Sequence, residues 1–194
     1  MNDIMLDIET LGTGNNSIVI QIGAVYFNRD TGELGKELSV NITLQSCFDV
    51  GLKADSGSLK FWFNQPQPYS WLNSPIDLNK ALQLLREFYD KKALVWSHST
   101  FDFPRLAEAY TAIGQGFALP YRNLRDIRTL VDLSGIEYKK DVKGDPKNHD
   151  ALDDCKYQVK YCVKAFDKLK QKMYHDVSCD CYDYKEGKSL KAKD

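Results

Sequence analysis

The sequence predicts an α/β domain with a mixed central sheet flanked by helices, and three observations carry that prediction. Three apolar runs rich in β-branched residues follow one another between residues 5 and 44, separated by short polar turns. A helix-spaced segment, a buried strand and a second helix follow between residues 78 and 113. A long amphipathic segment from about residue 149 to 172 completes the pattern.

The first run is Met5-Leu6-Asp7-Ile8-Glu9-Thr10-Leu11-Gly12, a short apolar strand that carries two acids and stops at glycine. After the polar turn at 13–17, Ile18 to Phe27 reads as a second strand. Asn28 to Gly32 has turn chemistry, and a third strand is expected within Glu37 to Leu44. Short turns between three successive strands make an antiparallel meander. The stretch from Ser46 to Pro75 is irregular, apart from a helical piece at Ser58 to Phe63. Asp77 is placed to cap a helix over 78–91, where apolar residues at 78, 81, 82, 85, 88 and 89 keep helical spacing. Ala93 to Ser97 reads as a buried strand and Phe101 to Ile113 as a helix ended by Gly114, which adds parallel strands to the meander. Residues 121–133 fit a helix better than a strand. The basic, breaker-rich segment 139–148 reads as a loop before the last helix. Gly12-x-Gly14 resembles part of a dinucleotide-binding loop, but it lacks the third glycine and is followed by a strand, so that reading fails.

A chain of 194 residues fits one domain, drawn here as residues 1–172, with 173–194 as a polar, lysine-rich tail. With 43% apolar and 27% charged residues, the composition is that of a folded globular chain rather than a disordered one. The net charge of −1 provides no global basic field, so any grip on nucleic acid must be local. Five cysteines, an odd number, and no basic N-terminal signal imply reduced thiols and a cytoplasmic setting. Cys155 and Cys162 fall on the apolar face of the last helix and read as small core residues. His175, Cys179 and Cys181 could form half a zinc site, although their spacing matches no common ligand pattern. No run approaches the roughly 18 apolar residues of a membrane helix.

The chemistry lies in the acids. Alternation along a strand puts Asp7 and Glu9 on one face, with Leu6 and Ile8 on the other. Two unit charges about 4 Å apart repel by roughly 4 kcal/mol at an effective dielectric near 20. A divalent cation with hard oxygen ligands relieves that repulsion; a solvated edge strand would also tolerate it. Asp102, in Phe101-Asp102-Phe103-Pro104, follows a buried strand and is either a helix cap or a site residue. In His149-Asp150-Ala151-Leu152-Asp153-Asp154, His149 and Asp154 can share a site only if His149 sits on the loop before the helix. Asp150 shares a helix face with Asp154 and is a rival ligand, and an acid-rich first turn that complements the helix dipole is the plainer reading.

Asp7-x-Glu9, Phe101-Asp102 and His149-x-Ala151-x-x-Asp154, in that order, resemble the three motifs of the DEDDh (DnaQ-like, RNase T-like) 3′→5′ exonucleases of the ribonuclease H-like fold. The resemblance covers roughly residues 3–170. Trp62-x-x-Gln65 and Arg125-Asp126-Ile127-Arg128-Thr129 are similar to phage-type 3′→5′ exodeoxyribonucleases and their RNase T-like relatives. His98 departs from the pattern, because many members carry asparagine there.

The resemblance implies two Mg²⁺ or Mn²⁺ ions held by Asp7, Glu9, Asp102 and Asp154, with Asp7 bridging and His149 as the general base. It implies hydrolysis of single-stranded DNA from the 3′ end to nucleoside 5′-monophosphates. The alternatives are an exoribonuclease acting on RNA 3′ ends or, with less support, a binding domain that has lost catalysis. Leu11 and Gly12 would seat the terminal nucleotide, while Trp62 and Phe101 are candidates for stacking on bases. Lys139, Lys140, Lys143 and Lys147 could meet phosphates or form a solvated loop. Asp126 is taken as structural.

Overall fold

The computed structural model describes residues 1–66, 69–144, 146, 149–177, 182–183 and 188–189, with side chains described through Lys172. Strands β1 (Asp3–Thr10), β2 (Val19–Phe27) and β3 (Leu34–Asn41) form the expected antiparallel meander. Strands β4 (Leu94–Ser97) and β5 (Leu124–Asp126) join in parallel on the other side of β1, giving the spatial order β3-β2-β1-β4-β5. Helices α1 (Leu44–Asp49) and α2 (Ser56–Phe63) occupy the irregular region. They are followed by α3 (Leu78–Phe88), α4 (Ser99–Ala112), α5 (Ile127–Ser134), the single turn α6 (Tyr138–Asp141) and the long α7 (Ala151–Val177). A small separate pair, β6 (Tyr182–Asp183) and β7 (Lys188–Ser189), follows. No helix among the described residues is long and apolar enough to cross a membrane.

The central position of β1 explains its unusual sequence. Ile4, Leu6 and Ile8 enter one core with Leu78, Leu82 and Leu85 of α3 and Leu106 and Tyr110 of α4. Met5 enters the second core with Trp96, Ile127, Cys155, Val159 and Cys162. Asp7 and Glu9 share the face of Met5, beneath α7, where an apolar side chain would otherwise belong. Cys155 and Cys162 are fully buried there, as their spacing indicates.

Several boundaries differ from the sequence reading. The third strand begins three residues earlier than expected. Helix α2 begins at Ser56, because the Asp55 carboxylate accepts a hydrogen bond from the Ser58 N–H. Residues 121–133 are not one helix. Leu124, Ile127 and Leu130 have helical spacing, yet Leu124–Asp126 pairs with β4 before α5 begins. Asp126 makes the break: its carboxylate accepts from the N–H groups of Thr129 in α5 and Ser99 in α4, locking both helix starts to the sheet end. Gly135 then ends α5 with φ +70°. Helix α7 continues five residues past Lys172. The proposed half zinc site lies outside the described side chains.

The start of α7 is pressed against β2. A Cβ on Gly23 would lie 2.3 Å from the Ala151 carbonyl carbon and 2.5 Å from the Leu152 nitrogen, so only glycine permits this approach. Beside it, the buried Gln21 accepts from the Ala151 N–H and donates to the Asp150 carboxylate. Gly23→Ala should therefore destabilise the fold by roughly 2 kcal/mol or more through overpacking against backbone. Urea denaturation measures this, and a loss below about 0.5 kcal/mol would mean that α7 can slide away freely.

Candidate active site

The carboxylates converge at the end of β1. Asp7 is 7% exposed, and its Oδ1 accepts from the Gln158 side chain of α7 at 2.7 Å. Asp102 reaches the same place from the first turn of α4 and is 1% exposed. It does not cap α4: His98 occupies the cap position, and no side-chain cap bond forms there. Asp154 stands in the first turn of α7. His149 precedes that helix with φ +46°, on the loop as its pairing with Asp154 requires. Its ring meets Phe61 edge-on at 4.8 Å. Asp150 is the helix cap, accepting from the N–H groups of Leu152 and Asp153, and this removes it as a rival ligand.

Two sets of donor atoms result, each within 4.8 Å: Glu9, His149 and Asp154 in one, Asp7, His98 and Asp102 in the other. Both line a cavity of about 590 Å³, with Arg128, Tyr138, Lys139, Gln158 and Tyr161 among its other walls. Burial, with Asp102 and Asp154 close by, raises the Asp7 carboxyl well above its ordinary range. Burial and the charges of Asp7 and Asp154 do the same to Glu9. Asp102 is pushed up to about 7, chiefly by burial, against backbone hydrogen bonds from His98 and Ile8 and the pull of Arg128. Burial, followed by the positive charge of Arg128, lowers His98 to about 4. Buried oxygens that resist ionisation, one of which (Asp102 Oδ2) has no hydrogen-bond partner, are the donor set a hard divalent cation takes. The residues fit such a cation.

A second cavity of about 400 Å³ opens beside the first and shares Glu9 and Phe101 with it. Gly12, Thr13, Asp55, Phe61 and Trp62 are among its other walls. Two expected substrate contacts need correction here. Leu11 is 3% exposed and packs into the core, so its side chain is not presented to a terminal nucleotide. Trp62 is also 3% exposed: its Nε1 donates to the Thr10 carbonyl, and Tyr69 and Trp71 pack around it. It braces the site rather than presenting a stacking face. Its neighbour Phe61, passed over in the sequence reading, is 42% exposed and faces the cavity. Phe101 is half-buried, with the Arg105 guanidinium 3.6 Å from its ring centroid. Arg105 also donates to the Thr13 carbonyl, tying α4 to the loop after β1.

Gln158 and Tyr161 were missed in the sequence, and Arg128 appeared there only within a motif, with no place in the site. Gln158 and Tyr161 stand four and seven residues after Asp154, so helical periodicity from that one acid would have found them. Among the basic-loop residues, Lys139 lines the main cavity and Lys140 pairs with Glu137, while Lys147 lies outside the described residues.

The raised acids set a stability window. A carboxyl whose folded pKa exceeds its unfolded value binds its proton more tightly when folded. Its contribution is therefore greatest below the unfolded value and is lost as pH rises through the folded one. For Asp102 the window runs from 3.8 to about 7. In cation-free protein, Asp102→Asn should raise Tm at pH 7.5 by roughly 5 °C and flatten the loss of stability between pH 4 and 7. The same variant should gain less Tm from added Mn²⁺. Calorimetric melts across pH test both, and a Tm no higher than that of the native chain would contradict the buried-charge account.

Comparison with known proteins agrees with this geometry. The chain resembles Escherichia coli exonuclease I solved with a dT13 oligonucleotide, at TM-score 0.65 and 11% identity over 89% of this chain and 42% of that one. It also resembles a moderately thermophilic exonuclease I from Methylocaldum szegediense, at TM-score 0.58 and 14% identity over 90% and 42%. The chain thus spans less than half the length of these enzymes, and at such identities the likeness establishes the shared ribonuclease H-like fold. No curated protein matches. The model of the Rv2179c-like 3′-5′ exoribonuclease domain matches residues 2–166, nearly the whole of the sheet and its helices, and the chain belongs to that family.

Proposed function

We propose that the protein, through a catalytic unit at residues 1–172, hydrolyses single-stranded DNA from its 3′ end to nucleoside 5′-monophosphates with two divalent cations, Mg²⁺ or Mn²⁺. One observation carries this reading: four carboxylates and a histidine from three distant segments line one cavity, with the buried Asp102 Oδ2 unpartnered. When bound, the cations would neutralise the acids and stabilise both the entering and the departing oxygen of an in-line displacement. Asp7, two residues before Glu9 on β1, would serve both cations. Glu9 and Asp154 would hold the side where water enters, and Asp102 the side where the shortened strand departs. His149, set on the loop before α7 and braced by Phe61, would take the proton from the attacking water. The second cavity would seat the terminal nucleotide, with the backbone at Gly12 beneath it and Phe61 and Phe101 as its aromatic walls.

DNA is preferred because the finer motifs are similar to phage-type exodeoxyribonucleases, and the exonuclease I relative was solved with a deoxyoligonucleotide. RNA is the second reading, supported by the description of the matching family. Incubation with 3′-resected ladders of end-labelled DNA and RNA of one sequence, with Mg²⁺ or Mn²⁺, separates them: faster DNA shortening with monophosphate release is expected, and a faster RNA ladder would reverse the order. Asp7→Asn should reduce the rate on the order of a thousand-fold or more while retaining the fold. Near-normal turnover in that variant would remove the cation mechanism. His149→Ala should slow turnover by roughly a hundred-fold or more and abolish the neutral limb of the pH–rate profile, with Mn²⁺ affinity retained. An unchanged pH profile would exclude it as the base.

A further inference from the structure

His98 stands where the motif pattern leads one to expect an amide, and its ring nitrogen falls within 4.8 Å of carboxylate oxygens of both Asp7 and Asp102. Ligands in adjacent octahedral positions around a small divalent ion, with bonds near 2.1 Å, lie about 3 Å apart, and opposite ones about 4.2 Å. Donor atoms that all lie within 4.8 Å of one another need only a further approach of their side chains to close around one such ion. The backbone of His98 is fixed as the N-terminal cap residue of α4, receiving the N–H groups of Phe101 and Asp102 on its carbonyl. Its Nε2 lies 3.4 Å from the Tyr161 hydroxyl. A ring that donates one N–H to an oxygen acceptor presents its other nitrogen as a lone pair, the usual arrangement behind a metal-bound imidazole. Asp102 Oδ2, buried and without a partner, supplies the neighbouring ligand atom.

We propose that His98 is a direct ligand of the cation shared by Asp7 and Asp102, making one of the two sites a mixed nitrogen–oxygen site selective for Mn²⁺ over Mg²⁺. This deepens the cation reading of the active site and rests on it. The Glu9–Asp154 side keeps carboxylate ligands. Imidazole is a poor donor to Mg²⁺ and a better one along the series from Mn²⁺ to Zn²⁺, so one nitrogen in place of an amide oxygen or water shifts preference towards the transition ions. The two sites of the pair then differ in the ion they prefer, and the departing-strand side is the discriminating one.

The test reads ligation directly, without substrate, so its outcome is independent of whether oligonucleotides are cleaved. His149→Ala protein, loaded with Mn²⁺, is examined by electron spin echo envelope modulation after growth with ¹⁴N- or ¹⁵N-histidine. A histidine-nitrogen coupling that changes with the isotope is expected, and it should vanish in the His98→Asn/His149→Ala and His98→Gln/His149→Ala proteins. Titration calorimetry on the His98→Asn protein should show the Mn²⁺-to-Mg²⁺ affinity ratio falling about tenfold. No histidine coupling in the His149→Ala protein would overturn the proposal without recourse to any His98 variant. A coupling that survives the loss of His98, or an unchanged affinity ratio, would overturn it as well.

Discussion

Four carboxyl groups packed into a nearly dry space at the end of one strand are the constraint to which the rest of the molecule responds. Asp7 and Asp102 are both buried, yet water is replaced only in part, by Gln158, two backbone N–H groups and the distant charge of Arg128. Without cations Asp7, Glu9 and Asp102 hold their protons above the ordinary carboxylate range, because each further negative charge must be placed in a poorly solvated space beside others. Divalent ions bound there would neutralise the same charges. Two apolar cores, one on each face of the sheet, surround this polar cluster.

The site depends equally on where α7 begins. Gly23 removes the steric barrier between β2 and the helix, Gln21 takes up the first free backbone N–H, and Asp150 closes the helix end as its cap. These three residues fix the direction in which Asp154, Gln158 and Tyr161 project, and they leave His149 on a strained loop position just outside the helix. The proposed general base thus lies on the loop before α7, while the proposed ligands sit on regular elements. This division suits a reaction in which the ligands must hold still and the base must exchange its proton with solvent.

The cleft is asymmetric. On the Glu9 side it opens into a small aromatic cavity at Phe61 and Phe101, braced by Arg105 and Trp62. On the Asp102 side it meets His98, Arg128, Tyr138 and Tyr161, a wall that is basic and aromatic rather than acidic. A 3′ end entering with its last nucleotide on the first side would leave its remaining strand near the positive charge of Arg128. A chain of nearly neutral net charge can hold a polyanion in this way, by placing a few cations where phosphate passes.

Much of this was legible in the sequence, because it depended on local periodicity. Alternation alone put Asp7 and Glu9 on one face of a strand, helical spacing fixed α3, α4 and α7, and the order of three acidic motifs identified the exonuclease family. The roles of Asp150, Leu11 and Trp62 were not legible. Each depends on what another segment offers across the fold: the Gln21 side chain behind Asp150, the core around Leu11, and the Thr10 carbonyl in front of Trp62. The short strand at Leu124–Asp126 belongs with them, since Leu124 keeps helical spacing with Ile127 and Leu130 and only pairing with β4 makes the segment extended. The sequence by itself determined which residues carry charge and on which face of their own element they lie, because backbone geometry repeats every two or 3.6 residues. Tertiary structure alone decided which of those charges lose water and which side chains are left to face them, because desolvation and proximity are properties of segments brought together, not of any one segment.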